Sequence, residues 1–482
     1  MANLMLPGNP RYQPKSLVDF FGYDNLYGAV AQVEIATLRT LAEIGVISAT
    51  DISLLTPELE KVIVAITTTE VDLVEKTDTL EFGKATKHDI RAWVRIAQSK
   101  LPVPLRRWVH VPLTSYDALD TARAIQFSQA HQRVIRPSTN KLIGIFADRA
   151  EEFAETVQIG RTHLQHALPI TVGFWLATIL SRIIFNADQA NSFASGLVGK
   201  ISGAVGAYNA QVGLGIAERC GSKSFEERVL EKVGLKPARI STQILPPEPL
   251  AYYLFSLTMM SAALGQFGRD GRNLMRTEVG EIGEPFEQGQ VGSSTMAHKR
   301  NPINFENSEG MWLKNKNEFG KVFDTLISDH QRDLVGSCIA RDFPTIVVNL
   351  VQQLDTLLRK DKAGKTFLER ISVDEEACAR NFALQSDRIL AEPMYIALQK
   401  AGYEGDAHDV VNHQAISLMD TDHVSLVEAV NMLTLHDQEL LRAFESIGHE
   451  TLVLLDNPEK YVGAATSKCR EIVALARLFV TK

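Results

Sequence analysis

The sequence predicts an all-α protein built on long helices, and three observations carry that reading. Almost every long segment repeats its apolar residues at helical spacing. No convincing series of alternating strands breaks the pattern. The composition, 45% hydrophobic but only 7% aromatic, fits helices packed on Ala and Leu. The first element spans 23–47, where Leu26, Val30, Val33, Ile35, Leu38, Leu41 and Ile44 recur. A second helix is expected over 55–71. The pattern over 120–156 is long and broken once at Pro137, whose ring and missing N–H predict a kink. Segment 169–203 follows, rich in Leu, Ile and Phe. Segment 250–279 carries small residues (Ser261, Ala262, Ala263, Gly265) that permit close packing. Segments 304–327 and 343–358 complete the long set. Shorter helices then fall at 374–384, 389–401, 404–418, 426–432 and 437–446.

A helix of roughly 30 residues is about 45 Å long, and several side by side make a bundle. A chain of 482 residues is too long for one ordinary core. The gaps near Pro112 and at Lys360-Asp361-Lys362-Ala363-Gly364 divide it into three expected domains. These are an N-terminal helical domain (1–112), a central long-helix bundle (113–364) and a C-terminal helical domain (365–482). Apolar residues cover more than one face of the long helices, which predicts that chains associate.

Charge and cysteine usage narrow the function classes. The formal net charge of -8 argues against a general nucleic-acid binder, so any bound anion must be met by local cations. The four cysteines (Cys220, Cys338, Cys378, Cys469) are scattered without a CxxC pair, which fits neither a disulfide framework nor a zinc cluster. Residues 1–8 lack the basic and apolar regions of a signal peptide. The best apolar run, 171–180, is about half a membrane span. The expected setting is the cytoplasm, with no membrane partner.

Five polar constellations interrupt the helical pattern. Thr86-Lys87-His88-Asp89 is a weak signal alone, read first as a helix cap and surface contact and second as a functional pair. Trp108-Val109-His110-Val111-Pro112-Leu113-Thr114-Ser115-Tyr116-Asp117 precedes a long helix. Its hydroxyls suit an N-terminal cap and equally an anion site, and the two readings coexist. Gly160-Arg161-Thr162-His163-Leu164-Gln165-His166 lies on a short link between two long helices. Its histidines are natural proton carriers near neutral pH. Without a third ligand nearby they do not make a metal site. Ser241-Thr242-Gln243 ends in Ile244-Leu245-Pro246-Pro247 and on its own reads as a helix-terminating loop. The fifth is Gly292-Ser293-Ser294-Thr295-Met296-Ala297-His298-Lys299-Arg300-Asn301-Pro302, followed by Arg332-Asp333, Ser337 and Arg341. Glycine, two serines and two cations in one run suit a polar loop closing over an anion. The spacing is not that of a P-loop.

The fifth run resembles the signature loop of the fumarase/aspartase superfamily, usually written G-S-S-x-M-P-x-K-x-N-P. Thr114-Ser115-Tyr116-Asp117 is similar to its T-S-x-D region and Arg161-Thr162-His163 to its second histidine region. Within the superfamily the chain resembles the adenylosuccinate lyase branch over nearly its whole length. Arg11-Tyr12, Thr86-Lys87-His88-Asp89, Trp108-Val109-His110 and Thr242-Gln243 fall on that branch's motifs, as does 301–310. Arg332, Asp333, Ser337 and Arg341 follow its R-D-x-x-x-S-x-x-x-R spacing. Three positions depart from it. Ala297 stands for the usual proline, which would loosen the loop. Leu164 stands for the usual glycine, and Pro246-Pro247-Glu248 for a basic–acidic pair.

The resemblance implies elimination of fumarate from adenylosuccinate, giving AMP, and from the succinylated imidazole-carboxamide ribotide of purine biosynthesis. It implies Ser293 as the base and His163 as the acid that protonates the leaving nitrogen. Lys299, Asn301, Thr114 and Ser115 would hold the succinyl carboxylates. His88, Asp89 and His110 would position the substrate's ends. Arg11, Tyr12, Gln243, Arg332, Ser337 and Arg341 would hold the nucleotide, its phosphate above all. The chemistry calls for no metal and no cofactor, and the branch assembles composite sites in a homotetramer. A leucine at 164 is familiar from the argininosuccinate lyase and carboxymuconate cycloisomerase branches. Those lyases, and a catalytically silent helical scaffold, are the alternatives. The arginine–serine segment favours a nucleotide.

Overall fold

The structure, a computed structural model, describes residues 6, 12–286, 296 and 298–481. The all-α class stands: among the described residues the strands form three two-stranded pairs, only one of them with strands longer than two residues. The chain forms two compact units. One comprises residues up to 140, 185–265 and 307–358, and the other 141–184, 266–306 and 359–482.

In the first unit, helix Asn25–Glu43 packs on helix Ser115–Ala130. Buried Ala29, Ala31, Ala36, Ala118 and Ala122 leave little side chain between them, which lets the axes approach. Phe21 meets Phe127 at 5.1 Å and Phe127 meets Tyr253 at 6.3 Å, edge to ring. Trp93, on helix Asp89–Lys100, is fully buried. The segment expected as one helix over 55–71 is two, Pro57–Val64 and Thr68–Lys76. Thr67 stops the run: Glu70 Oε2 accepts from its backbone N–H at 2.8 Å and its hydroxyl at 3.0 Å, a capping box that opens a second helix. The break expected at Pro137 lies just before it. Helix Ser115–Ala130 passes into a π-helical turn, His131–Ile135, and resumes as Arg136–Glu152. The wider turn relieves the clash between the proline ring and the preceding turn.

The second unit is held by an aromatic ladder. Phe146–Phe267, Trp175–Phe267, Phe267–Phe305 and Phe305–Phe367 have ring centroids 5.0, 5.8, 5.6 and 6.1 Å apart. Glycine is required where helix Val172–Ser195 begins, because a Cβ on Gly173 would sit 2.4 Å from the Ala150 carbonyl oxygen. The shorter C-terminal helices enclose their own cluster of Leu390, Met394, Leu398, Val411, Leu426 and Leu440.

The short link expected between two long helices is a β-hairpin, Val157–Thr162 paired antiparallel with Gln165–Thr171. Ile159 on its first strand packs with Phe382 and Ile389. Among the described residues, no helix is long and apolar enough to cross a membrane.

Candidate active site

In the first unit the site begins where helix Ser115–Ala130 begins. The Thr114 N–H donates to Asp117 Oδ2 at 2.8 Å. Asp117 Oδ1 accepts from the Lys200 ammonium, the Ser202 N–H at 3.0 Å and the Gly203 N–H at 3.2 Å. Both Asp117 and Lys200 are fully buried. The acidic residue of the Thr-Ser-x-Asp motif is therefore an internal anchor, and the hydroxyls of Thr114 and Ser115 remain at the half-buried helix end. Ser115 Oγ lies 3.4 Å from His88 Nε2. His88 is the N-cap of helix Asp89–Lys100, and its Nδ1 lies 3.3 Å from the Asp89 carboxylate. His88 is thus the helix cap that the sequence offered, with the Ser115 hydroxyl beside its ring. His110 is placed by Glu34, which accepts from its backbone N–H at 2.9 Å and meets its Nδ1 at 2.7 Å.

A second group surrounds Tyr116. The Arg332 guanidinium stacks 3.5 Å over the Tyr116 ring, a geometry that favours the cation electrostatically. Arg332 Nη1 donates to Gln243 Oε1 at 2.8 Å, while its buried Nε meets no acceptor among the described residues. The Tyr116 hydroxyl is 2.5 Å from Ser337 Oγ. Asp333 folds the intervening turn, accepting from the Asp329 N–H at 3.0 Å, the Ser328 hydroxyl at 3.0 Å and the Val335 N–H at 2.6 Å. Those donors hold its carboxyl below the usual range, the Asp329 amide foremost.

Gln243 reaches this group because its loop is pinned on both sides. The Leu245 N–H donates to Asp120 at 3.0 Å, and Ser241 Oγ meets Ser202 Oγ at 2.6 Å. Gly206, at φ +72°, lies so close that a Cβ there would be 2.0 Å from the Ser241 carbonyl oxygen. A cavity of about 510 Å³ adjoins the group, lined in part by Tyr116, Asp120, Pro246, Pro247, Ser337 and Arg341. Burial raises the Asp120 carboxyl despite the opposing charge of Arg123. Arg341 and Tyr12 are exposed, and Arg11 lies outside the described residues.

In the second unit, His163 and Leu164 form the two-residue tip of the hairpin, at φ +51° and +63°. Both tip residues in the left-handed region make the turn that follows strand twist, type I′. His163 is exposed there. The strand beneath is anchored by Arg161, whose two terminal nitrogens donate to the two oxygens of fully buried Glu281 at 3.0 and 2.5 Å. Gln158 and Asn381 each add a 2.8 Å hydrogen bond to the same carboxylate. Burial lowers the His166 imidazole, and Arg161 lowers it further.

Ser293 lies outside the described residues. Lys299 is exposed and Asn301 half-buried, just ahead of helix Ile303–Phe323. The first amides of that helix, at Asn304 and Phe305, donate to Glu284 at 2.8 and 2.7 Å, so the end of the signature run is tied down. Burial raises Glu284.

Glu34, Tyr116 and Glu281 hold predicted site residues in place and were not singled out from the sequence. Glu34 carried a signal, a lone carboxylate among Ala31, Val33 and Ala36 on a buried face. Tyr116 sits inside the Thr-Ser-x-Asp motif, but its partners at 332 and 337 are far away in sequence.

A family model described as Lyase matches residues 22–314. The adenylosuccinate lyase of Pyrococcus horikoshii is 33% identical over 474 residues, 97% of this chain and 96% of that one. That of Archaeoglobus fulgidus is 31% identical, over 97% of both chains. The Bacillus subtilis enzyme of the same name is 30% identical over 88% of this chain and 92% of its own. Among solved structures, a 3-carboxy-cis,cis-muconate lactonizing enzyme from Pseudomonas putida is similar at a TM-score of 0.77 and 23% identity, covering 97% of this chain and 98% of that one. A fumarate lyase from Mesorhizobium sp. BNC1 reaches a TM-score of 0.77 at 20% identity, covering 98% of this chain and 99% of that one.

Proposed function

The chain belongs to the adenylosuccinate lyase family of the fumarase/aspartase superfamily, and from that premise we propose that it eliminates fumarate from adenylosuccinate, leaving AMP. The succinylated imidazole-carboxamide ribotide of purine biosynthesis is its second substrate. The observation that carries this reading is similarity to adenylosuccinate lyases along 97% of both chains. The Arg332–Tyr116–Ser337 group supports a nucleotide phosphate as part of the substrate. The likeness to the lactonizing enzyme, at 23% identity, speaks to fold alone.

The elimination is a β-elimination. A base removes a C–H proton next to a carboxylate, that electron pair forms the fumarate double bond, the C–N bond breaks, and an acid protonates the leaving nitrogen. Ser293 is the base, its alkoxide favoured by loop amides and Lys299 in a closed, dry site. His163 is the acid; an exposed imidazole at a hairpin tip suits delivery of a proton into a site completed by other segments. Lys299 and Asn301, with Thr114 and Ser115, hold the succinyl carboxylates. His88, Asp89 and His110 set the substrate's ends. Arg11, Tyr12, Gln243, Arg332, Ser337 and Arg341 hold the nucleotide.

The working form is a cytoplasmic homotetramer with composite sites, and the three-part division at 112 and 364 separates its contributing regions. In support, Tyr252, Phe255 and Met259 line up at i, i+3 and i+7 on helix Glu248–Leu274 and are 56, 44 and 37% exposed. Such an apolar stripe calls for a partner surface.

Mixing the protein with adenylosuccinate is expected to release fumarate and AMP in equal amounts. Absence of both, with turnover of argininosuccinate or 3-carboxymuconate instead, would overturn the assignment. Ser293→Ala should lower kcat by roughly a thousandfold or more with KM little changed; retention of more than about a tenth of the rate removes Ser293 as the base. Light scattering should give four chain masses.

A further inference from the structure

We propose that Glu34 is a positioning residue for this reaction: its carboxylate accepts from His110 Nδ1–H and holds the ring as the imidazolium, whose Nε2–H then donates a hydrogen bond to an anionic end of the substrate. The proposal rests on the reading of His110 as a substrate-positioning residue.

Glu34 lies in the middle of helix Asn25–Glu43 on its packed face, 1% exposed. A carboxylate is not buried there without compensation. Among the described residues, its two oxygens are met only by His110, one by the backbone N–H at 2.9 Å and the other by Nδ1 at 2.7 Å. This fork fixes both the main chain and the ring. The main chain needs fixing, because His110 sits at φ +69°, a conformation that a side chain with a Cβ adopts at a cost of about 1–2 kcal/mol. The ring is oriented because Nδ1 must carry the hydrogen that a carboxylate accepts.

The opposite edge of the ring is not used by the fold. The His110 side chain keeps 21% exposure, and no donor or acceptor among the described residues meets Nε2. His110 lies four positions before Thr114, and its carbonyl accepts the Leu113 N–H at 2.9 Å in the turn that leads to Thr114-Ser115. A purely internal ion pair would have no reason to keep one edge of its imidazole open just ahead of the Thr114 and Ser115 hydroxyls.

The surroundings set the charge on the ring. Burial alone lowers the His110 pKa, but the Glu34 charge and hydrogen bond overcome it, and Asp117 at the start of helix Ser115–Ala130 adds to them. Arg91, on helix Asp89–Lys100, opposes. The net shift is upward, so the cation and its Nε2–H persist to higher pH than in a free histidine. Substrate binding through that donor is lost as pH rises through the His110 pKa, and removing the Glu34 charge moves that loss to lower pH.

The test is kcat and KM for adenylosuccinate between about pH 6 and 9.5, for wild type, Glu34→Gln, His110→Gln and the double variant. The kcat/KM profile reports groups of the free enzyme. Glu34→Gln is expected to move the alkaline limb of kcat/KM down by about one pH unit or more. Near pH 8 it should raise KM about tenfold, with kcat within about threefold. The double variant should be no worse than His110→Gln. An unchanged alkaline limb, or equal loss of kcat and kcat/KM at every pH, overturns the role. A second readout is independent of turnover: NMR titration of the His110 ring in histidine-labelled protein. A wild-type pKa at or below the ordinary value overturns the proposal even where Glu34→Gln fails to fold. Wild-type protein that does not release fumarate, yet shows an elevated His110 pKa that falls in Glu34→Gln, refutes the functional reading and keeps the Glu34–His110 coupling.

Discussion

Replacing Glu281 by glutamine tests what holds the hairpin that carries His163. Glu281 is fully buried and accepts four hydrogen bonds: two from Arg161, one from Gln158 and one from Asn381. Arg161 itself is 14% exposed. Glutamine fills the same space but offers one acceptor oxygen and no charge, so the guanidinium is left buried beside an NH₂ group. Breaking a buried pair by removing one partner destabilises by about 3–5 kcal/mol. A cooperative unit of 150–250 residues loses roughly 2–4 °C of Tm per kcal/mol, so Glu281→Gln should lower Tm by about 6–20 °C. The second substitution is diagnostic: in Arg161→Met/Glu281→Gln the stranded cation is gone. The double variant should therefore recover at least about 2 kcal/mol relative to the sum of the single losses. The assay is urea unfolding followed by circular dichroism at one fixed protein concentration. A single-variant loss below about 1 kcal/mol, or strict additivity in the double, refutes the reasoning.

Other consequences can be measured with the same preparations. Tyr116→Leu removes both the ring under Arg332 and the hydroxyl on Ser337; at about 1–2 kcal/mol for a desolvated cation–π contact, KM should rise about tenfold with kcat within threefold. Tyr116→Phe keeps the ring and should change KM about threefold or less, and equal effects would count against stacking. Leu164→Gly removes a side chain from φ +63° at the hairpin tip; stability should rise by about 0.5–1 kcal/mol in urea unfolding, since the strain exceeds the entropy glycine adds to the unfolded chain. His131 is buried against Tyr253 and Asn191, and burial pulls its pKa down to about 4. Because the unfolded chain binds that proton first, stability falls with acid between about pH 6.5 and pH 4. The loss is about 3 kcal/mol at 1.36 kcal/mol per unit. His131→Gln should flatten that acid slope, and an unchanged slope would assign it to other groups.

Helices were legible because their signal is local. A period of 3.6 in apolar residues needs no knowledge of partners, and 23–47, 169–203 and 343–358 each contain the helix the pattern marked. The errors were local as well. Over 55–71 the apolar spacing runs through Thr67, and only the Thr67–Glu70 capping box shows that a new helix begins. The hairpin was missed because its tip is His163-Leu164 rather than the Asn-Gly or Asp-Gly that usually marks a type I′ turn. Its short strands, with Gly160 and Pro169 inside them, carry little strand signal.

The site residues divide along a different line, set by charge. The chain has a formal net charge of -8 and is proposed to bind a substrate with two carboxylates and a phosphate. Any unpaired carboxylate near that substrate would repel it, more strongly in a site closed to water. The structure meets this by turning four acids inward. Asp117 faces Lys200 and three backbone amides. Glu34 faces His110, Glu281 faces Arg161, and Glu284 faces the first amides of helix Ile303–Phe323. Each of these acids holds a segment that carries a predicted contact: Thr114 and Ser115, His110 itself, His163, and Asn301. The motifs read from sequence name the outward hydroxyls, imidazoles and cations. The inward acids are their complement, and sequence spacing does not reveal them, since Glu34 and His110 are 76 positions apart and Arg161 and Glu281 are 120. A buried acid beside a motif is thus better read as the motif's support than as one of its reacting groups.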